Sequence, residues 1–184
     1  TTIDTTNGGT SAAGANISFA GTVNGANDLT LNAGTGGAIA AAGTASLNNL
    51  TITNAASASF AGDLNLNDLI TTANGYTVSL TGASNTFTQQ VDFANSGNVS
   101  LGNAAGDTFN FNGGVVFSGN APLTLAGVFN TAATPFNAGA GGVTLAADTT
   151  IDTTNGGTSA AGANISFAGT VNGANDLTLN AGTG

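Results

Sequence analysis

The sequence predicts an all-β fold: a parallel β-solenoid with three short strands per coil of about 21 residues and about seven coils per 148-residue repeat. Three observations lead there. Residues Thr1 to Gly36 return unchanged at Thr149 to Gly184, so residues 1–148 form one full repeat and residues 149–184 open the next, with no linker between them. Apolar residues alternate with Thr, Ser and Asn in pieces of three to five residues, the period-two signature of strands buried on one face. Those pieces recur at a period near 21, inside the range that marks solenoids. An unbroken duplication of this length points to tandem copying in a longer array, and the two ends are expected to be arbitrary cuts in it.

Taken in order, strands are expected at Ile17-Ser18-Phe19, Leu29-Thr30-Leu31, Leu50-Thr51-Ile52, Leu64-Asn65-Leu66 and Val78-Ser79-Leu80. The second half continues with Val91-Asp92-Phe93, Val99-Ser100-Leu101, Phe109-Asn110-Phe111, Leu123-Thr124-Leu125 and Val143-Thr144-Leu145. Asn24-Gly25, Asn74-Gly75 and Asn112-Gly113 lie between strands, where positive φ is easily adopted. The Ala-rich run Gly36 to Gly43 is too short for a stable helix and is flanked by glycines, so a buried strand is expected there.

Three columns emerge from the period. One runs Ile17, Ile39, Phe60, Leu80, Leu101, Leu123, Val143, Ile165, and a second runs Val23, Leu47, Leu66, Phe87, Phe109, Phe129, Ile151, Val171. A third runs Leu31, Ile52, Ile70, Val91, Phe111, Phe136, fails near Asn155 and resumes at Leu179. In such a winding each strand pairs in parallel with its equivalent one coil away, and like residues stack every ~4.8 Å. Asn at the bends is expected to form hydrogen-bonded ladders.

Composition removes whole classes of function. The chain has no Lys, Arg or His, and its nine acidic residues are all Asp, for a net charge of -9. Without cations it cannot neutralise phosphates, so neither nucleic-acid binding nor attraction to anionic lipid is expected. There is no Cys, hence no disulfide framework or thiolate chemistry. No apolar run is long enough to span a bilayer, and a secretion signal is expected to lie outside these residues.

The tracts AGANISFAGTVNGANDLTLNAGTGG (13 to 37) and GGVTLAADTTIDTTNGGT (141 to 158) resemble the repeat regions of very large bacterial surface proteins of the filamentous-haemagglutinin-like and β-strand-repeat adhesin type. The resemblance implies a right-handed parallel β-helix, secretion to the outer surface, and a role in adhesion, biofilm matrix or a fibre. It carries no catalytic residues. The chain departs from those proteins in its unbroken duplication and its lack of basic residues, which disfavours adhesion to anionic glycans and favours a structural role.

Enzyme chemistry finds little to work with. Triads and general-base histidine chemistry lack their His or Lys. A hydrolase needs two carboxylates, and Asp63 with Asp68, or Asp92 with Asp107, are formal pairs; solvated rim aspartates are the expected reading. Calcium is the one metal weighed, because Asp and backbone carbonyls at corners make oxygen cages. Only Gly106-Asp107-Thr108-Phe109 and Gly62-Asp63-Leu64 approach a calcium-binding roll motif, and neither recurs. Thr30, Thr51 and Thr72 are spaced to form an outward row that Asp92 ends. Asn16-Ile17-Ser18, Asn49-Leu50-Thr51 and Asn98-Val99-Ser100 match the glycosylation pattern, a chance product of an Asn-rich chain.

No catalytic, cofactor-binding or metal-binding residue is therefore assigned, and no cofactor is expected. The expected function is that of a structural, non-catalytic segment of a giant extracellular or cell-surface protein that forms a filament, sheath or stalk by axial stacking. Its expected partners are copies of itself, or adjacent repeats, end to end. The alternative is an adhesin module for a neutral glycan or host surface.

Overall fold

The computed structural model describes residues 1–184 and contains twenty strands and no helix. Every strand-to-strand pairing is parallel, and each joins positions one coil apart, so the chain is a β-solenoid. The Ala-rich run is indeed a strand, Ala38–Ala41.

Three faces make up each coil. On the first, Ile17 stacks on Ile39, Ile39 on Ala58, Ala58 on Val78 and Val78 on Val99. That column continues through Leu123 and Val143 to Val171. On the second face Leu47 stacks on Leu66, Leu66 on Phe87 and Phe87 on Phe111. Two residues earlier along that face, Phe109 stacks on Phe129, Phe129 on Ile151 and Ile151 on Leu179. The third face carries Ile3 on Leu31 and Leu31 on Ile52, then Val91 on Val115, Val115 on Phe136 and Phe136 on Ile165.

The interior is narrow and dry, because alternation sends every second side chain inward. Phe87, Phe93, Phe109, Phe111, Phe129 and Phe136 are all fully buried. Rings on successive coils lie nearly parallel, with centroids 4.9 Å apart for Phe87 and Phe111, 5.0 Å for Phe93 and Phe117, and 5.1 Å for Phe109 and Phe129. Those separations match the ~4.8 Å spacing of hydrogen-bonded strands, so the aromatic stacks follow from the backbone ladder.

Glycine sets one corner. Gly43, Gly62 and Gly82 occupy the bend between first and second faces on successive coils, and a Cβ on Gly43 would come within 2.6 Å of the Gly21 carbonyl carbon. A Cβ on Gly62 would likewise collide with the Gly43 backbone. Any side chain there would push neighbouring coils apart.

The register differs from the periodic reading at several positions. The first column mixes two inward positions of one face: Phe60, Leu80 and Leu101 stack on one another, two residues beyond Ala58, Val78 and Val99. Each strand has two such positions, and a period alone cannot separate them. Ile165 lies on the third face over Phe136, and Val171 lies on the first over Val143. Phe111 belongs to the second face, and so does Leu179. Ile70 points outward and is 39% exposed, because the bend at Asn67-Asp68 interrupts alternation and Leu69 takes the inward place. Spacing between stacked residues varies from Ile39–Ala58 to Phe136–Ile165 because corners hold loops of different length.

The turn chemistry also differs. Positive φ occurs at Gly25 (156°), but at Asn112-Gly113 it falls one residue later, on Gly114 (90°), and Asn74-Gly75 has none. Corners of a parallel coil are not hairpins, so the hairpin preference for Asn-Gly does not govern them.

Candidate functional site

The aspartates are the only side chains able to carry charge-based chemistry, and most are committed to the backbone. Asp63, at the first corner, accepts the Ser84 N–H at 3.0 Å. Asp92, on the third face, accepts the Ser118 N–H at 3.2 Å. Asp107 closes a loop by accepting the N–H groups of Asn103 and Ala104 at 2.8 and 3.1 Å. Asp4 accepts both the N–H and the hydroxyl of Thr6, at 2.7 and 2.5 Å, and Asp152 repeats this with Thr154 at 2.7 and 2.6 Å. At Asp4 the Thr6 hydrogen bonds dominate and hold the carboxyl below its usual range; at Asp152 desolvation is the largest single influence and raises the pKa, but the hydrogen bonds from Thr154, Gly156 and Asn180 together bring it below.

Neither carboxylate pair is assembled. Asp63 precedes the strand Leu64–Thr71 at one corner, and Asp68 sits within it at the next bend. Asp92 pairs in register with Ile70 and Val116, whereas Asp107 lies one coil on, at the corner before Thr108–Phe111. Asp68 differs from the rest: its Oδ1 is buried without a partner, and desolvation raises its pKa. It stands beside Asn49 in register, and Asp92 lines the same shallow depression one coil on.

No three aspartates gather as a metal site. In the two fragments nearest a calcium motif, Asp63 accepts the Ser84 N–H and Asp107 accepts the N–H groups of Asn103 and Ala104.

The outward threonine row is Thr2, Thr30 and Thr51, followed by Ile70 and then Asp92. Thr72 is not in it; its hydroxyl donates to the Thr53 carbonyl at 2.5 Å. Tyr76, the only tyrosine, is interior, accepting the Thr72 N–H at 2.9 Å and donating to the Ile52 carbonyl at 3.1 Å. Burial raises its pKa. It offers no platform to a sugar.

At the bends, where asparagine ladders are expected, one pair forms, Asn67 to Asn49 at 3.1 Å; a second pair, Asn130 to Asn110 at 3.0 Å, lies within the second-face strands. Periodicity did not reveal the buried Asn85, which occupies an inward position beneath Phe109. It accepts the Leu64 N–H at 3.1 Å and donates to the Gly82 carbonyl at 2.7 Å. The only sequence signal was a polar residue where Ser84-Asn85-Thr86-Phe87 alternation calls for an apolar one.

What remains as functional surface is extended. The first face carries the outward row Ser18, Ala40, Ser59, Ser79, Ser100, Thr124 and Thr144. None of the nine aspartates lies among the strand positions of that face. At the ends, Thr2–Asp4 pairs along one edge only with Leu29–Asn32, and Leu177–Asn180 pairs along one edge only with the second copy's opening strand. Leu179 is 49% exposed and Val171 37%.

Between the copies there is no break. The strand Val143–Asp152 runs across the point where the second copy begins, stacking Thr149 on Gly127, Thr150 on Val128 and Ile151 on Phe129. No protein-family model, curated protein or solved structure matches the chain.

Proposed function

We propose that this chain is a segment of a non-catalytic, extracellular or cell-surface fibre, of the kind found in giant filamentous-haemagglutinin-like surface proteins, elongated by stacking solenoid repeats end to end. The observation that carries the reading is the strand Val143–Asp152, which spans the boundary between repeats: its pairing with Leu123–Thr131 bulges at the corner between Leu145 and Thr149 and resumes in the second copy at Thr149–Gly127. A joint paired by the same kind of parallel ladder as the repeat interior makes the two repeats one continuous solenoid. The half-exposed Leu179 and Val171 at the last coil are the next rungs of that ladder, and open strand edges pair with further strands. Repulsion among the aspartates keeps such a polymer soluble and separate.

Imaging native filaments tests this. Thin unbranched fibres with a layer spacing near ~4.8 Å along the axis are expected; compact particles without that spacing would contradict it. A second reading, an adhesin module for a neutral glycan, draws on the uncharged hydroxyl row of the first face. Retention of the chain by immobilised neutral glycans, lost when Ser79 and Ser100 are replaced by Asp, would favour that reading.

A further inference from the structure

The two identical copies do not occupy identical faces. In the first copy, Ile3 lies on the third face and Ile17 on the first. Their counterparts in the second copy, Ile151 and Ile165, lie on the second and third faces. Every element of the second copy is displaced by one face in the same direction: Val23 belongs to the second face, while Val171 stacks on Val143 of the first.

Counted along the chain, twenty strand positions separate Thr2–Asp4 from its copy within Val143–Asp152. Three positions make a coil, so one repeat is six and two-thirds coils, one face short of seven.

Local structure is unchanged by the displacement. Ile151 pairs with Leu179 as Ile3 pairs with Leu31. The loop after each opening strand closes alike, the Thr5 hydroxyl donating to the Ala15 carbonyl at 2.9 Å and the Thr153 hydroxyl to the Ala163 carbonyl at 2.8 Å. Each loop also leans on the following coil in the same way, through Thr35 N–H to the Ala12 carbonyl and Thr183 N–H to the Ala160 carbonyl. The duplicated opening stretch therefore keeps its local structure in the new orientation.

Because the copies are identical, every joint in an array has the same partners as the joint seen here. We propose that successive repeats are turned by one face, a third of a revolution, about the fibre axis, and that three repeats and twenty coils make the structural period. This rests on the fibre reading above. Its consequence for interaction is that no side of the fibre is continuous. The row's run of hydroxyls ends at Thr144, with Asn172 next above it, and the copy of its first residue, Ser166, lies on the third face over Asn137. The row, and the projecting loop Thr5 to Asn16, are thus presented to three directions in turn, and a partner that recognises one repeat is met on every side.

Cryo-electron microscopy of an array of six tandem 148-residue repeats tests the proposal. Following one sheet face along the map, the projecting loop should shift by one corner per repeat and return to its starting corner after three, with an axial step of roughly 32 Å per repeat. Loops aligned on a single corner, with a step of roughly 34 Å for seven full coils, would overturn the one-third turn while leaving the fibre reading intact. Particles lacking stacked coils would overturn both.

Discussion

At the scale of single residues, aspartate environments set the response to pH. Asp68 has a buried, unpartnered oxygen and a raised pKa, so its ionisation opposes folding at neutral pH. Asp68→Asn should raise the melting temperature at pH 7. The gain should shrink as pH falls through the Asp68 pKa, because the wild-type carboxyl is then protonated in the fold as well. Asp4 and Asp152 act with the opposite sign. Their folded pKa lies below the ordinary aspartate value, so the stability they lend is present above that ordinary value and is lost as pH falls through the depressed one. Amide exchange at Gly8 and Gly156, whose N–H groups reach the same carboxylates at 3.3 and 3.1 Å, should rise first on acidification. None of this was legible beforehand, since a lone Asp reads the same whether its oxygen meets an N–H or nothing.

At the scale of strands and corners, packing and backbone approach decide. Phe111, fully buried and 4.9 Å from Phe87, fills the centre of its coil. Phe111→Ala should cost about 3–5 kcal/mol in denaturant unfolding. Gly62→Ala should lower the melting temperature clearly, because its Cβ would strike the Gly43 backbone, whereas Gly75→Ala, which meets nothing within 4 Å, should be silent. The strands themselves were readable, because Leu-Thr-Leu and Phe-Asn-Phe alternate at period two and their half-buried faces require it. Which inward position stacks on which was not, because Phe109 and Phe111 are equivalent to a period search and only the ladder distinguishes them. Ile70 was misplaced for a related reason: a bend inside Leu64–Thr71 sets the inward Leu66 and Leu69 three residues apart, which reverses the alternation that follows.

At the scale of the whole molecule, the winding is the central feature. The parallel solenoid and its three faces were legible from the duplication and the short period. The displacement of the second copy by one face was hidden, because a mean period near 21 divides 148 residues into about seven coils and masks the third of a coil that separates seven from the observed count. Stability rests on the backbone ladder and the apolar core. Removing divalent ions with a chelator should leave melting and assembly unchanged, as followed by circular dichroism and light scattering.

The most direct measurement of the winding exploits the lack of cysteine. Outward residues on adjacent coils stand one strand spacing apart, about 4.8 Å, within the Cα separation a disulfide accepts. Pairs of cysteines at Ser79 and Ser100, within the repeat, and at Thr144 and Asn172, across the joint, should both close on oxidation. Failure of both pairs, or closure of Thr144→Cys with Ser166→Cys in place of Asn172→Cys, would contradict a parallel solenoid that continues through the joint in the register described.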